Sequence, residues 1–200
     1  MTTERDVQPP CPLEEVLATH ELAARFDGRP RYPDDAELLL DMTRGIAADP
    51  QAALQRLVEM VLRVTRADGA GVSLVEQQGD SEVFRWVATA GMVRPLLGHT
   101  MPRHASPCGE VLARDTLLLM RDPHRHYPAV QALGAPLDEV LLAPVRREST
   151  TVGTLWVLSV TGRRFDAEDA RVMQTLCTLA SQAGDLFDRL SYGNPSYLEQ

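Results

Sequence analysis

One segment of the chain, residues 104–127, collects most of the side chains that could do chemistry. It contains Cys108, and four of the five histidines of the chain lie between His99 and His126. Ser106-Pro107 resembles a helix cap followed by proline at the first helical position, so we expect the thiol in the first helical turn. The unpaired N–H groups and the dipole at that position favour a thiolate and lower a thiol pKa. Cys108 is therefore a candidate reactive thiol, for redox sensing or covalent ligand attachment, or alternatively a small buried residue behind the proline turn.

The histidines of this segment are open to two interpretations. His104, His124 and His126 could ligate a metal ion or a haem iron, but their spacing fits no usual zinc pattern and no acidic residue completes a familiar ligand triad. The alternative is that they are loop residues that bond backbone groups or water. The sequence predicts no metal site and leaves any cofactor unknown.

Two tryptophans and two arginines suggest contacts to a small ligand. Trp86 and Trp156 could face one pocket and stack on a planar molecule, or they could fill the core beside the helices. Arg121 and Arg125 could hold a carboxylate or a phosphate, although Arg121 beside Asp122 also suggests a local ion pair of little energetic value. The candidate ligand-binding residues are Trp86, His104, Cys108, Gly109, Arg121, His124, His126, Tyr127 and Trp156.

Other catalytic arrangements are missing from the sequence. It has no Gly-x-Ser-x-Gly and no Ser-x-x-Lys motif, and without any lysine it cannot form a Schiff base. Carboxylates cluster at Asp34-Asp35 and at 166–169, where capping of predicted helices explains them. These patterns therefore add no catalytic candidate beyond Cys108.

Composition narrows the class of protein further. Two hundred residues suit one domain with extensions, and 44% hydrophobic residues can build a sizeable core. A net charge of -8 and the absence of lysine argue against binding to nucleic acid or to anionic lipid. No apolar run reaches the roughly 18 residues that span a bilayer, and the start has no apolar signal region. Three cysteines fit a reducing compartment, so we expect a cytoplasmic protein.

The first third of the chain predicts helices. Residues 1–34 contain five prolines around a moderate helical stripe over 13–22, and we interpret them as an arm that packs on the domain or on a partner chain. A second helix is predicted over about 35–47. The clearest helix should begin at Pro50, because its apolar residues repeat at helical spacing. These residues are Leu54, Leu57, Val58, Val61 and Leu62.

A period of two then predicts strands. Gly71–Val75 and Val83–Ala88 form a predicted hairpin, followed by a long loop over 89–105 and a short helix that ends near Arg114. A further strand is expected over Thr116–Met120, and an irregular region over 122–136.

The last third predicts two central strands and a long helix. Glu139–Arg147 and Val152–Val160 are strongly apolar, with Pro144 indicating an edge register or a bulge. Asp166 is expected to cap the last helix. One apolar line on that helix resembles a heptad seam, and a second line runs beside it, so one line could serve a partner, or both could be buried in the same core. The first line is Val172, Leu176, Leu179, Ala183, Leu186 and Leu190, and the second is Met173, Ala180 and Phe187.

Four motifs in this order of elements resemble a GAF domain, the small-molecule-binding module common in bacterial signalling proteins. They are Ser106-Pro-Cys-Gly109, Asp122-Pro-His-Arg-His-Tyr-Pro128, Val152-Gly-Thr-Leu-Trp156 and Arg164-Phe-Asp-Ala-Glu-Asp169, and they look like GAF domains of sensor histidine kinases. The resemblance implies an α+β fold with an antiparallel sheet of five or six strands. Helices would cover one face, and irregular segments around a ligand pocket would cover the other.

Three departures from related proteins shape the expected function. Only residues 191–200 follow Leu190, with no glycine-rich nucleotide loop, so we expect a sensor without the kinase part. Bilin-binding GAF domains commonly have histidine beside the pigment cysteine, whereas Gly109 follows Cys108. Free methionine-R-sulfoxide reductases have a later cysteine, which 136–144 lacks, and a lone thiol could form a sulfenic acid without completing a disulfide relay.

The sequence therefore predicts an arm at 1–34, a GAF domain at 35–190 and a tail at 191–200. The predicted function is non-catalytic sensing of a small ligand, with a homodimer formed through the terminal helices and a histidine kinase or other signalling protein as partner. Two alternatives stay open. One is a thiol-based redox sensor or a methionine-sulfoxide-reductase-like enzyme centred on Cys108, and the other is an interaction module whose ligand site is vestigial.

Overall fold

A six-stranded antiparallel sheet forms the centre of the molecule in the computed structural model, which describes residues 11–29, 50–131, 136–147 and 149–182. The strand order is β3-β2-β1-β6-β5-β4, which confirms the predicted α+β class and strand number. The strands are β1 (Gly69–Gln78), β2 (Ser81–Gly91), β3 (Thr100–Pro102), β4 (Leu118–Arg121), β5 (Glu139–Arg147) and β6 (Thr150–Ser159).

Five α-helical segments accompany the sheet. They are α1 (Leu22–Arg25), α2 (Pro50–Thr65), α3 (Pro107–Arg114), α4 (Pro128–Gln131) and α5 (Ala167–Gln182). Short 3-10 turns lie at Leu13–Glu15, Thr19–Glu21, Arg94–Leu96, Arg103–Ala105 and Pro123–Arg125. The predicted loop over 89–105 is thus more ordered than expected, since it also contains β3. The helix predicted over 35–47 lies outside the described residues. No helix in the described ranges is long and apolar enough to cross a membrane.

The arm differs from its predicted helix because it runs along the edge of the sheet. Leu17 forms an antiparallel bridge with Met120 of β4, and the backbone N–H of Ala18 donates to the Leu119 carbonyl at 2.8 Å. An edge strand offers unpaired backbone groups, and the arm satisfies them with extended chain between two 3-10 turns. Only α1 at its end is α-helical.

Helices α2 and α5 cover one face of the sheet, which we call the helix face. Leu54, Val58 and Val61 of α2 are fully buried there, as the helical spacing predicts. Val172 and Met173 of α5, one from each predicted apolar line, are buried in the same cluster. Both lines therefore pack into this core where α5 is described, and the rest of each line lies outside the described side chains.

Pro144 lies in the part of β5 that pairs with β6 on one side and has no paired strand on the other. Strand β4 pairs only with residues 139–142, and the register against β6 shifts between Val145 and Arg146. Because proline cannot donate a ladder hydrogen bond, this position suits it. Both features predicted around Pro144, the edge and the bulge, are present.

Candidate ligand-binding site

A cavity of about 40 Å³ lies between the other face of the sheet and helix α3. We call this side the pocket face. The volume is room for roughly three water molecules. Strands supply the floor, while β3, the start of α3, Val130 and Leu137 supply the walls. The lining residues are Trp86, Met101, Ser106, Pro107, Cys108, Val130, Leu137, Val140, Leu142, Trp156 and Leu158.

Trp156 is the fixed part of the floor. Its backbone lies opposite Gly71 of β1, and a Cβ on Gly71 would come within 2.3 Å of the indole ring. Only glycine leaves room for the ring to lie on β1. The indole N–H of Trp156 donates to Ser73 Oγ at 2.8 Å, so both packing and a buried hydrogen bond hold the ring in place.

Trp86 reaches the same cavity because strand β2 contains a bulge. Val72 and Ser73 of β1 lie opposite Ala88 and Trp86, which leaves Val87 as an extra residue. The extra residue changes which face the side chains occupy, so Ala88 packs on the helix face while Trp86 packs on the pocket face. The rings of Trp86 and Trp156 are 4.8 Å apart between centroids. The prediction that both tryptophans face one pocket is confirmed.

Cys108 also lines the cavity, but its chemistry differs from the expected thiolate. Ser106 caps α3, with its Oγ accepting the backbone N–H of Cys108 at 3.2 Å, as predicted. The Thr154 hydroxyl donates to Cys108 Sγ at 3.1 Å. Complete burial nevertheless raises the thiol pKa above its ordinary value, against the lowering by Thr154, Ser106 and Ser73. The predicted lowering by the helix start is therefore wrong, because removal from water outweighs it.

The sequence patterns did not single out Ser73 and Thr154 as part of this site. Both are fully buried polar residues within apolar strands. Burial of a hydroxyl is unfavourable unless it is hydrogen-bonded, so a lone serine or threonine in such a strand is a usable signal. Here the two hydroxyls hold the Trp156 ring and the Cys108 thiol.

Two further candidates contribute to packing around the cavity. Tyr127 is buried in the pocket-face cluster without lining the cavity, and burial raises the pKa of its phenol. A Cβ on Gly109 would lie 2.1 Å from the Arg103 carbonyl oxygen, so this glycine allows α3 to approach the preceding turn. His104 is exposed on that turn and does not line the cavity.

The remaining candidates face the arm instead of the cavity. Arg121 pairs with Glu21 rather than with Asp122, and Arg125 pairs with Glu15. The Nδ1 atom of His126 lies 2.7 Å from the Cys11 carbonyl oxygen. These contacts occupy the cationic groups that could have held an anionic ligand.

His124 is the exception among these polar residues. Its Nδ1 atom is buried and has no hydrogen-bond partner, although the residue does not line the cavity. Within the described residues, no group of three or more His, Cys, Asp or Glu side chains could hold a metal ion.

Solved structures with this fold come from several kinds of bacterial protein. The GAF domain of an Acinetobacter phosphoenolpyruvate-protein phosphotransferase is 16% identical with a TM-score of 0.64, over 82% of this chain and 100% of that one. The free methionine-R-sulfoxide reductase of Neisseria meningitidis is 18% identical with a TM-score of 0.63, over 81% and 97%. The second GAF domain of DevS from Mycobacterium smegmatis is 21% identical with a TM-score of 0.57, over 71% and 97%.

The sequence comparisons agree with the fold. A search of curated proteins gave no match. Residues 47–184 match the family model described as GAF domain, which is well over half of the chain and contains every residue that lines the cavity. The chain therefore belongs to the GAF domain family.

Proposed function

We propose that this protein is a non-catalytic sensor that binds a small ligand in the cavity under Trp86, Trp156 and Cys108. The observation that carries the proposal is the cavity itself, which is mostly apolar with a few polar groups, as small-molecule sites usually are. The cavity also favours this proposal over the alternative of a vestigial site, since a site that had lost its ligand would not need to keep that space open.

The state of the cysteines argues against thiol catalysis. Burial keeps the Cys108 thiol protonated at neutral pH, whereas the thiolate is the nucleophile. Cys177 belongs to the helix-face cluster, on the other side of the sheet, and Cys11 lies in the arm. Neither is placed to act as a resolving thiol for Cys108. The likeness to the Neisseria reductase, at 18% identity, concerns the fold, and no observation favours that activity here.

The output of the sensor is proposed to pass through helix packing in a homodimer. At the described positions Val172, Met173 and Leu176, both predicted apolar lines of α5 are buried in the domain, so these three side chains are not available for a dimer contact. A histidine kinase or another cytoplasmic signalling protein would read the change of packing. The GAF domains of DevS and of the phosphotransferase, both described as parts of larger proteins, support this role.

Native mass spectrometry of the protein purified from its own host tests the proposal. The expected result is a mass above that of the polypeptide that disappears on denaturation. The variant Val130→Phe places a ring in the cavity and should abolish the retained mass. Its control, Ala129→Phe, adds the same ring at a half-exposed neighbouring position and should retain it.

Two results would contradict the proposal. One is a bare polypeptide mass combined with no binding of any small probe. The other is retention of the same ligand by Val130→Phe, because the ligand would then occupy a different place. The same spectra report the dimer, and a monomer at micromolar concentration would remove that part of the proposal.

A further inference from the structure

None of the described residues that line the cavity carries a charge. Among them only Cys108 can ionise, and burial keeps its thiol neutral. An anion in this cavity would leave water without meeting a counter-ion, which is strongly unfavourable.

The arginines around the cavity are already engaged elsewhere. Arg103 pairs with Glu82, and Arg125 pairs with Glu15 at 2.8 Å. Arg121 pairs with Glu21, which also contacts Arg25 and Arg164. Recruiting one of them to an anionic ligand would break an ion pair on the outside of the domain. The surrounding arginines therefore do not offset the unfavourable burial of an anion in the cavity.

Trp86 offers a hydrogen-bond donor on the lining of the cavity. No described residue accepts its indole N–H, whereas the indole N–H of Trp156 donates to Ser73 Oγ. The Trp86 N–H is not one of the buried side-chain atoms that lack a partner, so it is accessible, and an acceptor in the cavity that reaches it would gain a hydrogen bond. The Thr154 hydroxyl already donates to the Cys108 thiol, which itself is a weak donor.

The volume limits the size of what fits. A cavity of about 150 Å³ accommodates benzene, and the present one of about 40 Å³ is much smaller. Without displacement of a wall it admits only a few non-hydrogen atoms. A ring-sized ligand would require movement of the side chains of α3, of Val130 or of Leu137.

We infer that the cavity selects a small uncharged molecule that carries a hydrogen-bond acceptor, which Trp86 recognises, and that it rejects the corresponding anion. This inference rests on the proposed function, because it concerns the ligand of the same site. It separates amides, ketones and similar neutral compounds from carboxylates and phosphates, including nucleotides.

Two pairs of probes of equal shape test the selection. Acetamide and acetate are nearly isosteric, and benzamide and benzoate form the same pair with a ring. The chain has two tryptophans, and both line the cavity, so the two indole ¹H–¹⁵N cross-peaks of the full chain report binding directly. Trp86→Phe assigns them and removes the donor, and Val130→Phe fills the site.

The expected result is that acetamide shifts the Trp86 cross-peak more than that of Trp156, with at least about tenfold weaker binding of acetate. The shifts should disappear in Val130→Phe, and Trp86→Phe should weaken acetamide about fivefold or more. If side chains of the cavity wall move enough to admit a ring, benzamide should likewise bind more tightly than benzoate.

The outcomes distinguish failure of this inference from failure of the proposed function. If acetate or benzoate binds as tightly as its amide, or if a ligand retained from the host is an anion, the inference is overturned while the sensor role stands. If no probe shifts either cross-peak and no ligand is retained from the host, both are overturned.

Discussion

The two faces of the sheet use the same strands for different purposes. In β6, Leu155 and Val157 join the aliphatic cluster under the helices, whereas Trp156 and Leu158 join the pocket-face cluster. Among the described residues, the cluster on the helix face contains no tryptophan or tyrosine and is made mainly of Leu, Val and Ala. The pocket face combines large rings, sulfur atoms and buried hydroxyls around a cavity.

This difference shows how one fold separates stability from binding. Small aliphatic side chains interdigitate well, so the helix face can reach the density typical of protein interiors. The two tryptophan rings are rigid and lie at 57° to each other, and they leave a gap that neighbouring side chains do not fill. The rigidity of Trp156 comes from β1, through Gly71 and Ser73, so the floor of the cavity is fixed by the same sheet that supports the helices.

The largest effect on the free energy of unfolding is expected at the contact between the arm and strand β5. Arg25 of the arm contacts Glu139, which is 3% exposed, through two nitrogens at 2.8–2.9 Å. Glu139 also accepts the backbone N–H of Phe165 at 3.0 Å. Glu139→Gln removes the buried carboxylate partner of Arg25 and leaves Glu21 as its remaining counter-charge, so we expect a loss of about 3 kcal/mol in the free energy of unfolding, the lower end of the range for a broken buried ion pair, measured by urea denaturation.

The matched control lies on the same arm. Glu15 pairs with Arg125 but is 51% exposed, and Glu15→Gln should cost less than about 1 kcal/mol. Equal losses of stability in the two variants would show that the Arg25–Glu139 contact contributes no more than the exposed ion pair does.

A smaller effect is expected where the pocket face depends on the sheet. Gly71→Ala introduces a methyl group into the Trp156 ring, so the ring must move or β1 must shift. We expect a loss of about 1–3 kcal/mol together with a change in tryptophan fluorescence. Trp156→Leu removes the obstacle, so the double variant should be more stable than the sum of the single effects predicts. Simple additivity in urea denaturation would contradict the account of the floor.

The smallest effect concerns the reactivity of Cys108 and Cys177, two of the three buried cysteines. Burial raises the pKa of Cys177 to about 12 and also raises that of Cys108, so both should react slowly at neutral pH and faster as the pH rises. Cys108 lines the cavity, whereas Cys177 lies under the helices. The small neutral reagent methyl methanethiosulfonate should therefore label Cys108 before Cys177 in the native protein.

Peptide mass spectrometry identifies the labelled cysteine. An anionic thiosulfonate of similar size should label Cys108 more slowly than the neutral reagent does. Labelling of Cys177 before Cys108 would show that the pocket face is no more accessible than the helix face.

Local patterns were sufficient to predict much of the scaffold. The spacing of Leu54, Val58 and Val61 indicated the buried side of α2, and Ser106 and Asp166 cap α3 and α5 as their positions suggested. Each of these features depends on residues within a few positions of one another. The order of helices and strands followed from them, and the fold followed from the resemblance of four motifs to GAF domains.

The chemistry of the site depended on contacts between distant residues. Arg121 meets Glu21, and His126 meets Cys11, across about one hundred positions, so no local spacing could show that these residues face the arm. The protonated state of Cys108 results from burial by the whole pocket face, which outweighs its position at a helix start. Trp86 depends on a bulge that period-two alternation does not reveal.

The central claim, that the helix face is closely packed and the pocket face keeps room for a ligand, is tested most directly by one pair of substitutions. Val157 and Val140 are buried on neighbouring strands, one on each face. Urea denaturation of Val157→Phe should show a loss of about 1–3 kcal/mol from overpacking, and Val140→Phe, whose ring enters the cavity, should lose less than about 1 kcal/mol. An equal loss in the two variants, or a larger one in Val140→Phe, would contradict the claim.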